Sequence, residues 1–212
     1  MSTVQPVILG EMPSLSKLYV NAAAQTARRR VLGTHNGSNL PVTSHEVRGV
    51  RADVGNLTAY QHLIGLTARD TLPAGYLHAL AFPLAMSVMN RDDFPLPLLG
   101  MVHLYNHVEQ RSPVLFTESL DIRARVENLR GHRSGTQLDV VAEIRGADTP
   151  DIKWTGRSSY LAKGVFLPAS TSQRQTTARP ISRLRTPPRF GIWGSTREGR
   201  MPPFPETSTP ST

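Results

Sequence analysis

The sequence predicts an α+β fold, an antiparallel sheet wrapped around one buried central helix. Three observations predict it. Residues 74–89 (AGYLHALAFPLAMSVM) are an apolar stretch of helical length with almost no polar face, which needs cover on most sides. Beyond Pro95 and Pro97 the hydrophobic period changes from helical to alternating and stays so to about residue 161. The alternating segments each have one apolar and one polar face, the pattern of antiparallel strands packed on one side and wet on the other.

Taken in order, residues 1–12 carry no pattern. Residues 14–30 (SLSKLYVNAAAQTARRR) read as a helix: Ser14 can cap it, the alanines favour it, and the closing arginines suit the negative end of the helix dipole. Residues 33–40 (GTHNGSNL) have turn chemistry. Val47, Val50 and Val54 mark a first strand over 46–53. In 56–66 (NLTAYQHLIGL), Leu57, Tyr60, Leu63 and Ile64 recur at helical spacing behind Asn56 as the cap. The central helix follows, with Pro83 either kinking it or removing one backbone hydrogen bond.

Over 102–108, Val102, Leu104, Asn106 and Val108 face one way and His103, Tyr105 and His107 the other. The alternation is clearest over 119–127, where Leu120, Ile122, Ala124 and Val126 interleave with Asp121, Arg123, Arg125 and Glu127. After a turn at Gly131 to Gly135, Leu138, Val140, Ala142 and Ile144 alternate with Asp139, Glu143 and Arg145. A last strand spans about 152–161. A twisted sheet around the apolar helix satisfies all of these segments together.

Composition narrows the function classes. The 212 residues suit one domain or one and a half. No run approaches the roughly 18 apolar residues of a membrane span, and the first residues lack the basic and apolar regions of a signal peptide. The absence of cysteine excludes disulfides, thiolate metal sites and a cysteine nucleophile. A cytoplasmic protein is expected. The net charge of +8 suggests nucleic acid until it is divided along the chain. Residues 164–212 hold seven Arg and two Glu, leaving +3 for the 163 residues before them. That basic segment holds eight of the 17 prolines, with Phe190 and Trp193 among its few aromatics. It lacks the folded, aromatic-lined face that grips a nucleic acid, so none is expected as partner.

Between Leu57 and Pro113 the chain reads TAYQHLIGLTARDTLPAGYLHALAFPLAMSVM and then LLGMVHLYNHVEQRSPV. This stretch resembles the N-terminal half of the actinobacterial MaoC-like 3-hydroxyacyl-thioester dehydratases, double-hotdog members of the (R)-specific enoyl-CoA hydratase family. SLSKLYVNAAAQTARRR and IRARVENLRGHRSGT are similar as well, so the resemblance covers about residues 13–163. It implies a hotdog fold with no cofactor and no metal. It also implies that the catalytic hotdog is the second one, marked by Tyr-x-x-x-Ser-Gly-Asp-x-Asn-Pro-x-His, whose Asp and His move the protons while a backbone N–H polarises the carbonyl. In this half Tyr60 and Gly65 match the Tyr and Gly of that motif, Leu66 stands where the Asp belongs, and no His follows Pro73 at the right spacing. Leucine cannot accept a proton, so no catalytic residue is expected in this chain. The same resemblance points to Tyr76, Phe82, His103 and Asn106 as substrate-tunnel residues, with core packing as the competing reading.

After Pro168 the chain has few large apolar residues and no period, the signature of a disordered tail. Back-translated and read one step out of frame, residues 193–212 are compatible at every codon boundary with Val-Ser-Gly-Asp-Val-Asn-Pro-Ile-His, the catalytic motif in its expected place. The chain is therefore divided into 1–45, an N-terminal helix and loop; 46–163, a non-catalytic hotdog; and 164–212, a basic Pro-rich tail out of frame with a second hotdog.

Other residues have plainer readings. His103 and His107, on one strand face, lack a third ligand for a metal. Arg28, Arg29 and Arg30 end a helix in solvent rather than gripping CoA phosphates. Asp92 and Asp93 are turn residues. Two functions follow: the non-catalytic half of a dehydratase acting on acyl-CoA or acyl-carrier-protein thioesters, or an acyl-binding partner subunit of a heteromeric dehydratase. Either implies a homo-oligomer or a catalytic hotdog partner.

Overall fold

The computed structural model describes residues 5–32, 40–41 and 43–167, so the segment expected as a tail lies, from residue 168 on, outside the described residues. The elements are β1 (Gln5–Leu9), α1 (Leu15–Leu32), β2 (Thr43–Val50), α2 (Val54–Leu63), α3 (Ala74–Met89), β3 (Met101–Gln110), β4 (Leu120–His132), β5 (Gly135–Gly146) and β6 (Ile152–Lys163). The strands form one sheet in the order β1-β2-β4-β5-β6-β3. Every neighbouring pair is antiparallel except β1 with β2, which run parallel.

The sheet wraps α3 as the apolar pattern requires. Leu120, Ile122 and Ala124 of β4, Leu138, Val140 and Ile144 of β5, and Trp154 of β6 are buried on the inner face. They meet Leu77, Ala81, Leu84 and Val88 of α3 in one core. The helix runs through Pro83 unbroken. Proline offers no N–H to the carbonyl of Ala79, but Ala79 is exposed, so water can take that bond.

Trp154 fastens helix to sheet. Its indole is fully buried, and Nε1–H donates to the Ala74 carbonyl at 3.2 Å. The ring lies across Gly156, where an added Cβ would come 2.3 Å from the indole. A glycine two residues along β6 is thus the condition for Trp154 to lie flat on the strand and reach the start of α3.

Several boundaries differ from expectation. β1 was not anticipated, because five residues are too short to carry a period and their partner is thirty-eight positions away. β2 begins and ends three residues earlier than 46–53; its start is Thr43, Ser44 and His45, polar residues that are nevertheless packed, and Arg51 to Asp53 leave the strand. The cap of α2 is Asp53 and not Asn56: its Oδ1 accepts from the Asn56 N–H at 2.8 Å, and an apolar stripe says nothing about a first turn made of Val54 and Gly55. The turn expected over Gly131 to Gly135 is tighter. β4 continues to His132 and β5 starts at Gly135, whose φ of 150° and close approach to the Ala162 carbonyl exclude a side chain.

Ion pairs run across the outer face. Arg125 binds Glu143 at 2.7 Å and Arg145 binds it at 2.9 Å, while Arg130 donates to Asp139 at 2.9 Å. Burial pushes the Asp139 carboxyl up, but hydrogen bonds from Arg130, Ser159 and Asn128 outweigh it and hold it below the usual carboxylate range. Asn128, at a bulge with φ 56°, supplies one of these.

At the far end of α3, His45 of β2 is 8% exposed. Ser87 Oγ donates to the Leu84 carbonyl and so accepts from His45 Nδ1–H at 2.8 Å, while Arg91 donates toward Nε2 at 3.3 Å. Burial, and then the Arg91 guanidinium, push this imidazole below its ordinary range.

Two outcomes follow from these joints. Trp154→Ala should cost about 3–5 kcal/mol in urea unfolding, and Gly156→Val should destabilise comparably by displacing the same indole. Because the folded pKa of His45 is depressed, the unfolded chain binds the extra proton. Stability contributed by neutral His45 should therefore fall as pH drops below about 6.5. Unfolding midpoints measured from pH 8 to pH 5 check this, and His45→Asn, which keeps the donor to Ser87 without an imidazole, should flatten the slope over that window.

Candidate functional site

The site-bearing surface is set by β3, an edge strand hydrogen-bonded on one side to β6. Its pairing runs His103↔Tyr160 and then Tyr105↔Ser159, so Leu104 is an extra residue in a bulge. The bulge overturns the simple alternation expected for 102–108. His103, Asn106 and Val108 lie opposite Tyr160, Ser158 and Gly156 on the inner face, whereas Val102, Tyr105 and His107 lie opposite Leu161, Ser159 and Arg157 on the outer face. His103 and His107, expected on one face, are on opposite faces and cannot converge on one ion.

A crevice of about 10 Å³, close to the room one water needs, opens between α3 and the inner faces of β5 and β6. Phe82, His78 and Ala81 line it from the helix, and Val140, Ser158 and Tyr160 from the sheet. His78 and Phe82 are one helical turn apart, which brings both rings to the same face, centroids 6.2 Å apart. His103 stacks on Tyr160 at 4.7 Å and 17°.

A polar string crosses this surface. Ser158 Oγ–H donates to Asn106 Oδ1 at 3.1 Å, and Asn106 Nδ2 meets His78 Nδ1 at 3.4 Å. Burial, and then the neighbouring His103, push the His78 imidazole below its ordinary range. Burial likewise pushes the Tyr160 phenol up.

Of the four residues expected at a tunnel, Phe82 lines the crevice, while His103 and Asn106 touch it through Tyr160 and Ser158. Tyr76 lies apart, 6% exposed, its hydroxyl donating to the Asp53 carbonyl and its ring edge-on to Tyr60. Sequence reasoning missed His78, Ser158 and Tyr160. His78 was signalled only by its place one turn before Phe82, and the two β6 residues by an alternation over 154–162 that continues in Gly156 and Ala162.

In the first turn of α3, Tyr60 Oη sits against Gly75, where an added Cβ would meet it. Gly65, with φ 70°, ends α2, and the side chain after it, Leu66, is 42% exposed. Asp93 is bound twice by Arg91, which holds its carboxyl below the usual range, and Asp92 accepts from Gln25. The two do not form an acid–base pair. Arg28 is exposed, and the side chains of Arg29 and Arg30 lie outside the described set. Among the described residues no helix is long and apolar enough to cross a membrane.

No family model matches the chain. It is 34% identical over 122 residues to 3-hydroxyacyl-thioester dehydratase X of Mycobacterium tuberculosis, an alignment covering 58% of this chain and 43% of that protein. The chain therefore spans less than half the length of this curated relative. A crystal structure of HtdX from the same organism superposes with a TM-score of 0.53 at 32% identity, over 57% of this chain and 51% of that one. A second HtdX structure gives 0.49 at 30% identity, over 68% and 54%. Over 122 residues the chain is similar in sequence to a 3-hydroxyacyl-thioester dehydratase, and its described part has a hotdog fold like that of the HtdX structure.

Proposed function

We propose that this chain is the non-catalytic hotdog of an acyl-thioester dehydratase or hydratase, acting in fatty acid metabolism in the cytoplasm. It would hold the acyl group of a 3-hydroxyacyl or trans-2-enoyl thioester, carried on CoA or a carrier protein, while a second hotdog moves the protons. One observation carries the reading: the inner face beside α3 offers imidazole, amide and hydroxyl groups, but Leu66 stands at the position matching the family's catalytic aspartate. Adding water across a double bond conjugated to a thioester requires a base for the water and an acid for the α-carbon. The histidines of this surface are engaged by an amide and by an aromatic ring, not by carboxylates that would raise their basicity.

A second reading, the acyl-binding partner subunit, is favoured by β3. Val102, Leu104 and Tyr105 are each more than 40% exposed on an edge strand whose outer N–H and C=O groups face no further strand among the described residues. Such an edge is a template for a strand from another hotdog or a second copy. Both readings give a chain that binds a thioester without turning it over.

The purified 212-residue chain should hydrate crotonyl-CoA at least about 10²-fold more slowly than a version whose reading frame is restored after Pro168, since an acid–base group is worth about 10²–10⁴-fold. Equal turnover by the two would overturn the non-catalytic reading. In sedimentation, the chain should self-associate, and the double variant Leu104→Lys, Tyr105→Glu should be monomeric with an unchanged unfolding midpoint. A wild-type chain that is monomeric throughout the micromolar range would count against β3 as the interface.

A further inference from the structure

At the C-terminal end of α3 one imidazole sits between two groups that fix its protonation. Ser87 Oγ gives its own proton to the Leu84 carbonyl at 2.7 Å, so it must accept from His45 Nδ1–H at 2.8 Å. Arg91 Nη1 faces Nε2 at 3.3 Å, and a guanidinium can only donate, so Nε2 must be a bare acceptor. Both ring nitrogens are matched to the neutral form. A second proton would set N–H against N–H and cation against cation, in a ring only 8% exposed. Among the described residues the charges facing the ring are Arg91 and Asp93, both from the turn after α3. Across β2, His45 stands opposite Val7 of β1 and Ala124 of β4, and its neighbours Glu46 and Arg48 bind each other at 2.6 Å.

Arg91 lies within the turn to which α1 is fastened. Gln25 Nε2 of α1 donates to the Asn90 carbonyl at 3.1 Å and to Asp92 Oδ1 at 3.2 Å, one residue on either side of Arg91. Asp93 holds Arg91 through Nε and Nη2 at 2.7 and 2.8 Å. Asn90 is 7% exposed and its buried Oδ1 has no hydrogen-bond partner, an unmet acceptor that makes this turn costly to hold. The rest of α1 is lightly seated. Its inward stripe is Leu15, Leu18, Ala22 and Gln25, of which only Ala22 is fully buried, while Tyr19 and Val20 are 46% and 71% exposed. We propose that α1 is a proton-released strap: a proton taken up by His45 drives Arg91 off the ring, rearranges residues 90–93 and undocks α1 from the end of α3. The device does not depend on the thioester reading. Because the docked form has no place for the second proton, the released form takes it up. Docking therefore weakens as pH falls below about 6.5, by up to about tenfold per pH unit for one linked proton.

Hydrogen exchange of the full chain, read by NMR as protection factors from pH 8 to pH 5, tests the strap. Amides of α1 should lose protection by up to about tenfold per pH unit below the His45 midpoint, while those of β4 and β5 keep theirs. The loss should share its midpoint with the titration of the His45 ring in the same wild-type sample. His45→Asn, which keeps a donor to Ser87 without an imidazole, should hold α1 docked across the range, and Gln25→Leu should release it at every pH. Protection of α1 that is independent of pH, or that falls with a midpoint different from that of His45, overturns the proposal, and the wild-type midpoints decide this even if His45→Asn does not fold. An equal loss in His45→Asn, or wild-type protection of α1 in Gln25→Leu, overturns it too. A loss shared equally by β4 and β5 makes His45 a determinant of global stability alone and overturns the strap.

Discussion

The burial of Trp154 against the first turn of α3 is the contact on which the remaining geometry depends. An apolar helix inside a curved sheet has little to set its depth or rotation, because aliphatic contacts are non-directional. The indole supplies direction. It donates to the Ala74 carbonyl and fills the space over Gly156, so the N-terminal half of α3 is held over β6 at a defined rotation. That rotation carries His78 and Phe82, four and eight residues after Ala74, toward the sheet's open side. At the C-terminal end the pairing of His45 with Ser87 ties the helix to β2. The helix is thus held at both ends by polar bonds that apolar packing alone would not specify.

The second constraint is the free edge. A sheet that curls around a helix without closing leaves an edge strand at each end; among the described residues these are β1 and β3, and β3 is the one that borders the polar string. Its bulge at Leu104 adds one residue and changes which side chains face inward, bringing His103 and Asn106 to the same face of the strand. Without the extra residue the pleat would separate them. The polar string through Asn106 therefore depends on that bulge. The outer face is different in kind: Asp139 there is buried and hydrogen-bonded by four side chains, an arrangement that satisfies its charge within the protein.

The sequence by itself determined the architecture. A sixteen-residue apolar helix cannot be buried against one flat contact, and alternation over four later segments supplies the antiparallel cover; α3 appears at residues 74–89 as the pattern required. The sequence also determined the absence of a carboxylate at Leu66, since that is a matter of residue identity. What it could not determine was anything resting on non-local pairing. β1 exists because β2 is beside it, the cap of α2 lies outside the apolar stripe, and a bulge leaves no trace in an alternation until a neighbouring strand defines the register. The assembly of Ser158, Asn106 and His78 draws on three elements spanning eighty residues. Only tertiary structure could bring them together, because hydrogen-bond partnership is a property of positions in space and periodicity reports only which face a residue shares with its near neighbours.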